Sequence, residues 1–193
     1  MADMINHLSM EHCTEDQSSY SISAEYLDDY KRLVFKWLNF GDIADNMSHF
    51  LSCHILYEGR PIFLYIIESG LFIYKRSLQE DNKNPHDHLA AFILGCMSEI
   101  TAFAHVNIVD ENNNETWNIF NQNQVPFDKW FNNTNNLRPH PSKEPLTREE
   151  LKSFYDMIIP HNLRLVMQRY DHESYILNAL IEHQYQFSYS NVL

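Results

Sequence analysis

The fold turns on PIFLYIIESGLFIYKRS, residues 61–77. PIFLYII is β-branched and aromatic, with apolar residues on both faces. Ser69-Gly70 supplies a tight-turn pair, and LFIYKRS follows as a second apolar run. The pattern predicts a β-hairpin. Its first strand lacks a polar face and belongs inside a sheet, while Lys75 and Arg76 carry the second strand toward solvent.

Downstream, the polar connection QEDNK leads to NPHDHLAAF, residues 84–92. Asn84 is a good N-cap, Pro85 suits the first helical position, and Asp87 at the third can accept from free backbone N–H groups. A long helix is expected from here to about Ala104. His86 and His88 then point roughly 200° apart and cannot share a metal. Leu89, Phe92, Ile93, Cys96, Met97, Ile100 and Phe103 form one wide apolar face, and Ala91, Gly95, Ser98 and Ala102 a stripe of small residues behind it. Small side chains allow close approach, so this helix is packed on both sides or keeps one face for a partner.

VNIVD and ETWNIF around residues 111–114 read as a second hairpin. Residues 121–146 are punctuated by Pro126, Pro139, Pro141 and Pro145 and show no period; such a long irregular loop is functional or depends on a partner. Thr147 and Glu150 form a capping box before a short helix that Pro160 ends. Residues 162–170 suit a strand or a helix. From about His172 to Tyr189 a last helix carries Ile176, Leu180, His183 and Phe187 along one stripe.

Upstream, Ser23 caps a helix in which Tyr26, Leu27, Tyr30, Leu33, Val34, Trp37 and Leu38 share one apolar side. Asp42 opens a second helix expected to reach about Tyr57, before Gly59 and Pro61 stop it. Residues 1–22 contain no Lys or Arg and no sustained period, as in a mobile acidic tail. The expected fold is a single α+β domain over residues 23–193. It has an antiparallel sheet from two β-hairpins packed on a central helix, with flanking N- and C-terminal helices.

The formal net charge is -12, from 14 basic and 26 acidic residues, which disfavours nucleic acid and anionic membrane surfaces. Four scattered glycines exclude phosphate-cradling loops and dinucleotide turns. Cys13, Cys53 and Cys96 have no CxxC spacing, so neither a disulfide framework nor a zinc ribbon is expected. Nothing calls for a metal or another cofactor. No basic and apolar leader opens the chain and no run has the length of a membrane span, so a cytoplasmic protein without membrane insertion is expected.

Two functions fit this pattern. The first is a non-enzymatic acidic adaptor or chaperone that binds another polypeptide through an apolar groove, with a negative surface that favours a basic segment. Phe127, Trp130, Phe131, Ile176, Leu180 and Phe187 are its candidate contacts. In charge, size and lack of catalytic motifs the chain is similar in profile to the small acidic adaptors of bacterial secretion systems, which hold export substrates or coupling-complex subunits. The second is a thiol-dependent hydrolase or transferase with Cys53 as nucleophile, His105 as base and Asp110 as orienter.

Overall fold

The structure is a computed structural model. It describes residues 2–11, 21–52, 54–121, 126–131, 136–142 and 145–190, apart from the side chains of 2–4, 121 and 183–190. The elements, in chain order, are α1 (Ala2–His7), β1 (Leu8–Met10), α2 (Ala24–Lys36), α3 (Asp42–Leu51), β2 (Ile55–Tyr57), β3 (Arg60–Pro61), α4 (Ile62–Ser77), α5 (Pro85–Ala104), β4 (Val106–Asp110), β5 (Glu115–Trp117), α6 (Phe127–Phe131), β6 (Leu137–Pro141), α7 (Arg148–Ile158), α8 (His161–Arg169) and α9 (His172–Ser190). The class is α+β, with two three-stranded antiparallel sheets among the described residues.

Residues 62–77 form the helix α4, which corrects the expected hairpin. Ile62, Ile66, Ile67, Gly70, Leu71, Tyr74 and Ser77 are buried, at the three-to-four-residue spacing of a helix. A run apolar on both faces suits a buried helix as well as a buried strand, and Ser69-Gly70 serves packing instead of turning. A Cβ on Gly70 would lie 2.4 Å from Cys96 Sγ, and one on Gly95 would lie 2.9 Å from Gly70 Cα. The two glycines let α4 and α5 cross with their backbones nearly touching. Glycine inside a helix costs about 1 kcal/mol relative to alanine, and this close packing offsets the cost.

α5 is the central helix, as its sequence indicates. Asn84 Oδ1 accepts from the N–H groups of His86 (3.0 Å) and Asp87 (3.3 Å), while the Asp87 carboxylate accepts from Asn84 N–H at 2.8 Å. The predicted apolar face, Leu89 through Phe103, is fully buried, and Gly95 packs on the other side. By length and composition α5 could cross a membrane, a test that the core helix of a folded domain also passes, and most of it is enclosed by the rest of the fold.

The first sheet has the order β1-β2-β3. The chain leaves helical geometry at Ser52, before Tyr57, and β2 and β3 make a hairpin over Glu58 (φ 51°) and Gly59 (φ 74°). That pair of positive φ angles matches the twist of adjoining strands. The real hairpin thus ends where the expected one begins. Residues 2–10 of the expected mobile tail form α1 and β1, and β1 pairs with β2, Leu8 opposite Tyr57; residues 12–20 lie outside the described residues.

The second sheet has the order β5-β4-β6. The β4–β5 hairpin matches expectation, with Ile108 opposite Trp117. β6 comes from the segment read as irregular and pairs with β4, Pro139 opposite Ile108 and Pro141 opposite Val106. Prolines are tolerated there because β6 is an edge strand, paired among the described residues with β4 alone. α7 opens on its capping box, Glu150 N–H donating to Thr147 Oγ1 and Thr147 N–H to Glu150 Oε2. Residues 162–170 are resolved in favour of helix, within α8 and its C-terminal turn.

Candidate functional site

The histidines that open α5 fasten it to its neighbours. His86 stacks on Tyr170 at 3.9 Å between centroids and lies 5.5 Å from Trp37, which joins α5 to the end of α2 and the α8–α9 turn. His88 Nδ1 is 3.0 Å from Ser77 Oγ at the end of α4, and burial, with Lys36 nearby, lowers its pKa. His172 Nε2 closes to 3.0 Å from Asp87 but off the hydrogen-bond axis, so the contact is an ion pair only when the ring is protonated. Among the described residues no group of three His, Cys, Asp or Glu side chains could hold a metal ion.

The residues of the thiol reading do not converge as a base and its orienter. Cys53 lies outside the described residues. His105 caps the end of α5, is buried, and its carbonyl accepts from Ser142 N–H at 2.6 Å. Asp110 stands at the far end of β4, five residues on, a path of about 16 Å along a strand. Its fully buried carboxylate holds the following turn, accepting from Asn112 N–H and Asn113 Nδ2, each at 2.9 Å. A base and orienter must be within hydrogen-bond reach, and these two are not. Cys96 is buried beneath Gly70, and burial pushes its thiol well up, away from a reactive thiolate.

The expected partner contacts lie mostly in the core. Phe127 is fully buried, 4.8 Å from the Trp117 ring and 5.5 Å from Phe131, which itself stacks on His54. Trp130 is half-buried beside them. Ile176 and Leu180 are buried on α9, which packs on α5; the side chain of Phe187 lies outside the described residues. The physical reason is coverage: the inner residues of β4 and β5 need a lid, and α6 supplies it.

The bare apolar surface is elsewhere. α2 turns Leu33 to the core, with Tyr26, Tyr30 and Trp37 partly covered. Leu27, Val34 and Phe35 face outward, and Leu38 continues the strip past the helix end; Phe35 is 95% exposed and Leu38 79%. The positions i, i+7 and i+8 of the first three fall on one helical face, and Leu38 follows the extended C-cap Trp37. Three of these four belong to the apolar side that the spacing of α2 predicts. The available signal was an apolar side of seven residues, wider than one neighbour covers.

A second feature lies along α4 and α5. A hollow of about 640 Å³ is lined by Tyr26, Tyr65, Phe72, Leu94 and Glu99, among others. Ile73 and Leu94 also line a neighbouring hollow of about 510 Å³ that reaches Tyr175 and His172 on α9. Small residues of the predicted stripe, Ala91, Gly95 and Ser98, floor the two. Two carboxylates sit at the first end. Burial alone would raise the pKa of Glu68, but Arg60, bonded at 2.8 and 3.0 Å, and the Ser23 N–H at 2.7 Å hold it below the usual range. Burial raises Glu99, opposed by a hydrogen bond from the Tyr65 side chain. Tyr65 is itself pushed up to about 12 by burial and the neighbouring Glu99.

Comparison with protein-family models, with curated proteins and with solved structures gave no match to this chain.

Proposed function

We propose that the protein is a non-enzymatic acidic adaptor or chaperone that works in the cytoplasm and binds another polypeptide, as a component of a bacterial secretion or effector-recruitment complex. The observation that supports this reading most is the strip Leu27, Val34, Phe35 and Leu38, which is exposed among the described residues. A monomer gains nothing by exposing a phenylalanine and a leucine side by side, and an apolar patch rimmed by charged residues is typical of a protein contact surface. Asp28, Lys31, Arg32 and Lys36 supply that rim. The secretion setting rests on the profile of charge, size and missing catalytic motifs.

The test is affinity capture of the tagged protein from its native cytosol, beside the double variant Phe35→Asp/Leu38→Asp. Expected is a stoichiometric partner that survives moderate salt with the wild type and is lost with the variant, whose helical circular dichroism is unchanged. No partner with the wild type, or equal capture by both, would contradict the reading.

A further inference from the structure

The strip on α2 carries a charge opposite to that of the whole chain. YKRLVFKWL, residues 30–38, has three cations and no anion, in a protein of net charge -12. Lys31 lies four residues after Leu27, three before Val34 and four before Phe35, so its stem stands within the strip. Arg32 is one turn before Phe35, Lys36 one turn on from Arg32, and all three cations are exposed. Of the three acidic residues of α2, Asp29 is buried on the inner side, 3.6 Å from Arg32, and Glu25 is 3.7 Å from Lys75 of α4. Asp28 is the third and stands on the outer face. At physiological salt charges are screened over about 8 Å. A segment seated on the strip therefore meets these cations, while the acidic remainder of the surface mainly slows its approach.

The occupant that fits is a helix. The side of α2 has no backbone N–H or C=O to pair with an extended chain, whereas a helix satisfies its own and lays its side chains between those of α2. A second copy set symmetrically on the strip would bring the two sets of cations together, against their repulsion. An anionic membrane would meet Asp28 on the outer face and the acidic body behind it.

We propose that the α2 strip binds an acidic amphipathic helix of a partner polypeptide, whose apolar residues lie over Val34, Phe35 and Leu38 and whose carboxylates reach Lys31, Arg32 and Lys36. This rests on the adaptor reading, since it concerns the same strip, and it gives the partner a charge opposite to the one that the net charge of the chain favours.

The test uses fluorescence anisotropy of the whole protein with a labelled amphipathic peptide of about five helical turns, leucines on one face and glutamates on the other, and with counterparts carrying glutamine or lysine for glutamate. The variant is Lys31→Gln/Lys36→Gln, which leaves Arg32 to Asp29. Expected is saturable binding of the glutamate peptide, tighter than that of the lysine peptide, which the variant weakens about threefold or more, the sum of two exposed ion pairs. The glutamine peptide should bind wild type and variant alike, and Phe35→Asp/Leu38→Asp should weaken both the glutamate and the glutamine peptide. Between about 0.1 M and about 1 M salt the difference between wild type and the lysine variant should vanish, as the screening length falls to about 3 Å. Both replaced lysines are exposed, so the variant should unfold at the same urea concentration as wild type, which separates lost binding from lost fold. The proposal is overturned by a lysine peptide that binds at least as tightly as the glutamate peptide, by equal affinity of wild type and Lys31→Gln/Lys36→Gln for the glutamate peptide, or by no saturable binding below about 1 mM. A dimer that Phe35→Asp/Leu38→Asp dissolves would assign the strip to a second copy, and sedimentation with phosphatidylserine vesicles that the same variant abolishes would assign it to a membrane; either overturns the proposal. Capture from cytosol that Phe35→Asp/Leu38→Asp abolishes and Lys31→Gln/Lys36→Gln leaves unchanged would sink the acidic helix alone. A failed capture with intact glutamate-peptide binding that depends on Lys31 and Lys36 would sink the adaptor reading alone.

Discussion

α6 and α2 make opposite use of aromatic side chains. α6 has five residues, too few to be stable as an isolated helix, yet Phe127 and Phe131 are buried against Trp117 and His54. α2 has thirteen residues and clear amphipathicity, yet leaves Phe35 and the adjoining Leu38 in solvent. The contrast teaches that burial follows from which neighbour lies across a side chain. The strength of a segment's own pattern does not set it. β4 and β5 present an apolar surface that only the following chain can cover, so a short and irregular segment is recruited. α2 packs its inner side, where Leu33 sits, on α4 and reaches the start of α5 through Trp37, while Phe35 and Leu38 stay exposed on the other side.

The largest expected effect is at α6. Phe127→Ala should cost about 3–5 kcal/mol in urea unfolding, the usual cost of emptying a fully packed aromatic site; a change under about 1 kcal/mol would mean that α6 is not part of the core. Trp130→Ala, half-buried beside Phe127, should cost less, about 1–2 kcal/mol on the same scale. Its stability loss should track that of Phe127→Ala in direction, and a neutral result would return Trp130 to the surface role expected from sequence.

The attachment of α2 should depend on pH. Glu68 accepts from the backbone N–H of Ser23, the N-cap of α2, and its folded pKa is depressed. Stability from such a group is complete above the unfolded carboxylate pKa and is lost as pH falls through the folded value. Hydrogen exchange of the first turn of α2, referenced to the intrinsic rate, should therefore lose protection as the pH falls from the ordinary carboxylate range through the lower folded value of Glu68. Glu68→Gln should remove that dependence, and the same loss in wild type and variant would contradict the tether. The smallest effect is at the bare strip. Phe35→Ala should change stability by no more than about 0.5 kcal/mol, and a loss like that at Phe127 would show that something covers α2.

The legible parts of the fold are those whose signals are local. Asn84, Pro85 and Asp87 announce α5, Thr147 and Glu150 announce α7, and the alternation of VNIVD with a polar turn announces the β4–β5 hairpin. α4 carries no such start signal: Pro61 precedes it and no side chain caps it. Its Ser69-Gly70 could equally turn a chain or admit a neighbouring helix, and only Gly95, far along the sequence, settles which. β6 was hidden by prolines that an edge strand tolerates. The candidate surface was hidden for a related reason. Leu27, Val34 and Leu38 have the spacing of core residues, and nothing within α2 tells which of its two apolar flanks meets another element. Asp110 and His105 are near in sequence, but a strand extends between them.

The most direct measurement is carbene footprinting of the protein alone and in its captured complex, read out at Phe35 and Leu38 on α2 and at Phe127 and Phe131 on α6. Expected is strong labelling of the α2 pair in the free protein and its protection in the complex, with the α6 pair unlabelled in both. Labelling of α6 in the free protein and protection there on binding, with α2 unchanged, would reverse the two roles and contradict the uncovered strip as the partner surface.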